Sequence, residues 1–293
     1  MQTHRAVRYL LVLILPLLTA CASRGIPATT AVGEQAAARS LLERSAEAHG
    51  LTAWQNVTDI SVSYAGQWAS LTSRLQPTLV DAGFRKDSEE RLLPSHDYLI
   101  AQHHEGSLGN KQVVRSANSI SVLYNEVAST DPGKLAAAAL VADGYRMFLT
   151  GPFYFLSGNL HLETGPDKIV DTRPCHSIIA VRRPGHGLSS EDRYQLFIDR
   201  ENGLLRRLRF SMEGLDSTRG AVAEVDFLEH REIAGIVWPT RFFERLRKPI
   251  PGLAVHEWEL TGLDVNRGLL AEDISGPRFS GQAAAPARRL EPR

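Results

Sequence analysis

The chain has 293 residues, 33 basic and 33 acidic with no net charge, and a hydrophobic fraction of 43%. With no basic excess to neutralise phosphates, this balance argues against a nucleic-acid partner. Length and apolar content suit one large or two modest domains with an ordinary core.

Residues 1–20 read as a targeting segment, with Arg5 and Arg8 ahead of an apolar run over 9–18 that is too short to span a bilayer. Leu18-Thr19-Ala20-Cys21 resembles the lipobox of a bacterial lipoprotein signal peptide. The resemblance implies cleavage before Cys21 and lipidation of that residue. Ala22, standing where an aspartate tends to retain such proteins at the inner membrane, implies the outer membrane. An ordinary secretory signal with a chance cysteine is the alternative. One acyl chain, at about 0.8 kcal/mol per methylene, binds reversibly, whereas two or three anchor for good. Loss of residues 1–20 leaves 31 basic residues against 33 acidic. With Cys21 acylated, Cys175 has no partner for an intrachain disulfide.

Residues 21–35 form a lipidated cysteine and a small, polar tether, and 36–276 a single domain. A helix is expected over 36–49, with Gly50 as its C-cap and Leu41, Leu42, Ser45 and Ala48 as its packing face. The first strand covers 57–68, with Ile60, Val62, Tyr64 and Trp68 on one side, and a linker follows to residue 80. Further strands are expected at 84–93, 97–104, 111–115 and 119–127. Residues 134–149 break the pattern between Asp131-Pro132 and Gly151-Pro152. Leu135, Ala138, Ala139, Ala142, Tyr145, Phe148 and Leu149 make a broad stripe, predicting a mostly buried helix laid on a sheet.

Strands resume at 161–163, 169–170 and 176–182. In the hairpin over 194–210, Tyr194, Leu196 and Ile198 share one parity, with Gln195 and Asp199 on a wet face. Glu201-Asn202-Gly203 turns the chain, and Leu204, Leu208 and Phe210 return, interrupted by Arg206. Ala221, Ala223, Val225 and Phe227 then share a parity, as do Ile236, Trp238, Phe242 and Leu246, with Pro239 marking an edge. In the strand over 254–265, Trp258 and Leu260 conflict in parity with Leu263 and Val265, and a bulge at Thr261-Gly262 reconciles them. Residues 277–293 read as a disordered tail.

Three segments resemble the LolA/LolB-like lipoprotein localisation factors. They are the turn Asp199 to Leu204, the strand Val225 to Phe227 followed by Gly235-Ile236-Val237-Trp238-Pro239-Thr240, and Ala46-Glu47-Ala48-His49-Gly50 with Trp54 after it. The resemblance implies a mainly β, α+β fold: a curved antiparallel sheet forming an incomplete β-barrel, with helices covering or plugging its concave face. It also implies acyl chains held in the hollow. The mature chain of 273 residues is larger than those factors, and the Ala-rich helix at 134–149 and basic loop at 245–252 have no counterpart in them. Leu71 and Leu75 match in composition the protruding apolar loop of the outer-membrane member.

No catalytic motif emerges. His103-His104 point to opposite strand faces, and no metal-ligand spacing appears, leaving only a site from distant residues such as His176, His230 and His256. Cys175 and His176 point apart, Gly185-His186-Gly187 lacks the context of a phosphate loop, and Glu89, Glu90 and Asp97 read as strand-face charge. The leading expectation is a monomeric, non-enzymatic, outer-membrane-anchored periplasmic lipoprotein without cofactor or metal, binding lipid or lipoprotein acyl chains. Its predicted lining is Ile60, Val62, Tyr64, Leu196, Ile198, Leu208, Phe210, Val225, Phe227, Trp238, Phe242 and Trp258, with Tyr145 and Phe148 from the stopper helix. A second reading keeps the core packed and binds an envelope protein through loops 211–219 and 248–252. A third, a hydrolase-like enzyme, requires titratable side chains converging inside the hollow.

Overall fold

A computed structural model describes residues 25–26, 35–95, 97–158 and 160–275. The targeting segment, Cys21, most of the tether and the C-terminal tail lie outside the described residues.

Helices α1 (Gln35–Ala48) and α2 (Leu51–Trp54) precede β1 (Ile60–Trp68), α3 (Ser70–Leu75) and α4 (Pro77–Val80). A meander follows: β2 (Asp87–Leu93), β3 (Leu99–Gly106), β4 (Gly109–Ser116), β5 (Ile120–Tyr124) and β6 (Val127–Ala128). Then come α5 (Pro132–Thr150) and α6 (Pro152–Leu156). A second meander runs through β7 (Leu160–Val170), β8 (Arg173–Arg182), β9 (Asp192–Asp199), β10 (Leu205–Ser211) and β11 (Val222–Leu228). The chain closes with β12 (Arg231–Ile233), β13 (Ile236–Trp238), β14 (Arg241–Lys248), β15 (Ala254–Val265) and α7 (Ala271–Ile274).

Thirteen strands make one sheet in the order β6-β5-β4-β3-β2-β1-β15-β14-β11-β10-β9-β8-β7, while β12 and β13 form a separate ribbon. The sheet is antiparallel and curved but not closed, as the resemblance implied. The two meanders meet where β1 pairs with β15. Here Ser63 faces Gly262 and Tyr64 faces Leu260, so Thr261 is the extra residue of the expected bulge. Strands β6 and β7 are opposite edges of the sheet, and α5–α6 is the segment that joins them. That connection crosses the concave face.

Local chemistry defines this crossing. Pro132 occupies the first turn of α5, and Asp131 caps it, accepting from the amides of Gly133 (2.8 Å) and Lys134 (3.1 Å). The chain leaves α5 through Gly151 at φ 50° and ψ −122°, a conformation that a side chain opposes, and Pro152 starts α6. Twelve of the 19 residues of α5 are buried, which suits a helix enclosed on nearly all sides.

Several expectations are corrected. Residues 66–80 are not a linker but the end of β1 and two short helices, in which Leu79 and Val80 are buried and Leu71 and Leu75 exposed. The strand expected over 236–246 divides at Pro239: β13 belongs to the ribbon and β14 to the main sheet. Leu205, rather than Leu204, is buried, because the β9–β10 register shifts between Leu205 and Arg207. Ala46 replaces Ala48 on the buried face of α1.

The outer face of β9 is not wet: Gln195 and Asp199 are 1% and 2% exposed. Arginine side chains lie across this face and cover it with their aliphatic stems. Arg173 pairs with Asp199, and Arg209 donates to Gln195 (3.3 Å) and Glu224 (3.0 Å). Arg245 reaches Glu224 at 2.9 Å, and both Arg207 and Arg245 pair with Asp226.

His49, at the end of α1, ties the helical layer to two separate strand segments. Its Nδ1 donates to the Val237 carbonyl (2.7 Å), which leaves Nε2 to accept from the Leu205 amide (3.0 Å). Burial lowers its pKa to about 4, so the ring stays neutral. His49→Phe should destabilise the fold by about 1–3 kcal/mol in urea titration, since it strands a buried amide and a carbonyl. His49→Ala should cost about as much or more, because it also opens a cavity.

Candidate functional site: the hollow and its mouth

Strand pairing sorts the concave face into two halves. Across the second meander, Ile178, Leu196, Leu208 and Val225 form one cross-strand row, and Phe227, Phe242 and Trp258 another. Across the first meander the rows become polar. Val62 faces Glu90, which faces Gln102; Tyr64 faces Ser88, then His104, Lys111 and Tyr124. Glu90, Gln102, His104 and Lys111 are all under 5% exposed.

Most of these buried polar groups have a local answer. Gln102 donates to Glu90 at 2.6 Å, and Ser88 bonds to His104 at 2.7 Å. Lys111 and Tyr124 both donate to Asp81 of the α4 C-terminus, at 2.6 and 2.7 Å. Burial dominates the protonation states. It pushes Glu90 up to about 8, against the pull of the Gln102 hydrogen bond and the Arg85 charge. It pushes Glu244 up to about 8 as well, again opposed by Arg85. Burial, reinforced by the same arginine, holds His104 and His256 well below the usual histidine range.

The mouth is aromatic. Trp68 stacks on His256 at 4.1 Å, His256 on Trp258 at 4.5 Å, and Trp258 on Phe242 at 4.9 Å. Arg85 lies 5.3 Å from the Trp68 ring and 5.6 Å from that of Tyr145, and donates to the Tyr145 hydroxyl at 3.4 Å. Among the described residues it has no carboxylate partner within ion-pairing distance, although its charge acts on Glu90 and Glu244.

All fourteen predicted lining residues are buried in one continuous core. Tyr145 and Phe148 of α5 reach the sheet as expected: Tyr145 meets Tyr64 at 5.1 Å, and Phe148 meets Phe210 at 5.4 Å and Trp258 at 5.6 Å. Trp238 stands apart from the main sheet, on the ribbon, against Trp54 at 6.1 Å. The hollow is occupied by α5 and not open. Its free space is a cavity of about 40 Å³ between Tyr145, Phe148, Phe210, His256 and Trp258, room for a few water molecules. In its wall Trp258 Nε1 and His186 Nε2 are buried without a hydrogen-bond partner, as is the hydroxyl of Tyr64, whose ring meets Tyr145.

Glu90, read from the sequence as strand-face charge, is an interior group, and Arg85, Glu244 and His104 gave no sequence signal beyond alternation. Titratable side chains do converge in the hollow, the condition set for an enzyme. Its serine–imidazole pair, Ser88 with His104, lacks a carboxylate on the imidazole among the described residues, and the depressed basicity of His104 makes it a poor proton acceptor. Among the described residues no group of three His, Cys, Asp or Glu could hold a metal ion. His176 pairs with Asp167, His230 lies 5.7 Å from His49, and His256 is stacked between tryptophans. Cys175 is a free, buried thiol packed with Val170 and Phe197, its pKa raised by burial.

No family model and no curated protein matches the chain. Solved structures do. A DUF1329 family protein from Desulfovibrio piger is 11% identical, with 80% of this chain and 95% of that chain covered at a TM-score of 0.50. A LolA superfamily protein from Nitrosomonas europaea is 12% identical, with 81% and 96% covered at 0.47. The first likeness shows a shared fold and nothing finer.

The buried ionisable groups give stability a pH optimum. The unfolded chain protonates His49, His104, His230 and His256 near 6.5, whereas the fold keeps all four neutral to lower pH, so stability falls as pH drops below 6.5. The unfolded chain ionises Glu90 and Glu244 above 4.5, whereas the fold keeps them protonated up to about 8, so they withdraw stability as pH rises across that window. Thermal melts should therefore peak near pH 6.5. The fall toward pH 8 should follow on the order of 1 kcal/mol per pH unit for each carboxylate. Glu90→Gln and Glu244→Gln should each flatten that limb.

Proposed function

We propose that the chain is a membrane-anchored envelope protein that binds acyl chains on the apolar half of its concave sheet, with α5 as a displaceable stopper. One observation carries this reading. Among the described residues, the apolar rows from Ile178 to Val225 and from Phe227 to Trp258 are covered by helices and not by a second sheet: α1 packs on β7 and β8, while Phe148 of the crossing helix α5 packs on Phe210 and Trp258. An acyl chain and α5 compete for the same surface, and the Pro-bounded segments at 131–132 and 151–152 are where the backbone turns as α5 leaves. The predicted lining residues on the main sheet become the ligand surface, while Tyr145 and Phe148 leave with α5 and Trp238 stays on the ribbon. Arg85, without a carboxylate partner, faces the anionic end of an amphiphile at the aromatic mouth. Leu71 and Leu75, 47% and 56% exposed on α3 just after Trp68, give that mouth an apolar lip toward a membrane.

In this reading Cys21 carries the acyl anchor and Ala22 directs the protein to the periplasmic face of the outer membrane. Cys21→Ser should shift the protein from the membrane to the soluble periplasmic fraction and remove the added acyl mass. The packed-core reading, with loops 211–219 and 248–252 as the partner surface, draws on the small free volume of about 40 Å³. A fluorescent fatty-acid probe separates the two. Acyl-chain binding predicts saturable uptake by delipidated protein and extractable lipid in protein purified from membranes. Gly144→Leu should fill the space against Phe148, favour the closed helix and weaken the probe about tenfold or more. Absence of both probe binding and co-purified lipid would leave the packed-core module.

A further inference from the structure

On the flank of α5 next to the one that carries Tyr145, a separate pocket of about 280 Å³ gathers Arg115, Arg146 and Arg182 around Tyr98 and Tyr154. Asp143 is the single acid in its wall. That carboxylate is already committed. It accepts from the Tyr98 hydroxyl (2.9 Å), from Arg115 Nη2 (2.9 Å) and Nε (3.3 Å), and from the Gly187 amide (2.8 Å). Arg115 is likewise satisfied, donating also to the carbonyls of Gly187 (2.8 Å) and Ser119 (3.3 Å). Arg115 and Asp143 cancel, and both are 5% exposed or less.

Arg146 and Arg182 are left. Their contacts are with aromatic faces: Arg146 Cζ lies 3.4 Å from the Tyr98 centroid and 4.8 Å from that of Tyr154, and Arg182 Cζ lies 4.5 Å from Tyr154. Stacking engages the flat face of a guanidinium and leaves its in-plane N–H donors unused. Arg146 Nε and Arg182 Nη1 are buried with no acceptor. Neither arginine has a carboxylate partner among the described residues. Two like charges thus share one tyrosine ring beside an open pocket, an arrangement that a bridging anion completes.

We propose that this pocket binds a phosphate group, presented as a free phosphate or phosphomonoester or as a lipid headgroup. Two uncompensated guanidinium forks match a dianion with several acceptor oxygens better than a single carboxylate. The site is independent of the acyl-chain reading, since it neither opens into the cavity by Trp258 nor uses its residues. Its arginines come from β4, α5 and β8, so an occupant ties the crossing helix to strands of both meanders.

Calorimetry on the full chain at constant ionic strength tests this, with inorganic phosphate, glycerol 3-phosphate and vesicles containing phosphatidic acid as probes. The expected result is a dissociation constant of about 1 mM or tighter for at least one of them. Arg146→Gln and Arg182→Gln should each weaken it about tenfold. Binding of the soluble phosphates identifies a small phosphorylated ligand, and vesicle binding that the two arginine variants weaken, with no binding of the soluble phosphates, identifies a headgroup. In the wild-type protein, which needs no variant to fold, the bound probe should shield Arg146 and Arg182 from phenylglyoxal while exposed Arg219 still reacts. The proposal fails where no probe binds, where both variants bind as the wild type does, or where those two arginines are modified equally with and without the probe.

Discussion

The structure depends on one topological constraint: the chain must pass from the β6 edge of an open sheet to the β7 edge at the opposite side. A curved sheet leaves its concave side as the short route, and α5–α6 takes it. Backbone polar groups carried through an apolar interior must bond to one another, which makes a helix the natural form for the passage. Its composition follows from that. Four consecutive alanines over 136–139 keep it thin, Tyr145 and Phe148 fill the sheet's curvature, and Asp131 and Gly151 mark its ends.

The same constraint explains why the hollow is chemically divided. The second meander packs most of its inner rows against aromatic and branched side chains, with the Glu244–His256 pair as its polar exception near the mouth. The first meander lies under the polar flank of α5, where Asp143 and Tyr145 meet Arg115, Tyr98 and Arg85. Glu90 and Glu244 tolerate burial by holding their protons, and His104 and His256 by refusing theirs. At the mouth, the charge left without a carboxylate partner among the described residues is therefore that of Arg85. A charge in that position senses whatever anion approaches the opening, while the greasy rows behind it remain indifferent to charge.

Much of this was legible in the sequence, for identifiable reasons. Period-2 alternation in β9, β11 and β15 located the inward rows, and the parity conflict after Leu260 located the bulge at Thr261. Asp131-Pro132 and Gly151-Pro152 bounded α5 because their backbone chemistry is local. What failed was non-local. Nothing near Gln195 or Asp199 says that arginines from neighbouring strands will roof them, so a polar parity was read as wet. Glu90 looks like any strand glutamate until Val62 and Gln102 are paired beside it. The Arg115–Arg146–Arg182 cluster unites two strands and a helix far apart in the chain, and no spacing announces it.

Spanning two margins of one arc, α5 acts on the sheet as a bowstring acts on a bow. At about 1.5 Å per residue its 19 residues measure about 28 Å, so helix length and the breadth of the sheet it crosses are coupled. Inserting one helical turn would slacken the string by about 5 Å and let the margins spread. Relatives that differ in the length of this segment should then differ in the gauge of the vault beneath it, even with every strand unchanged.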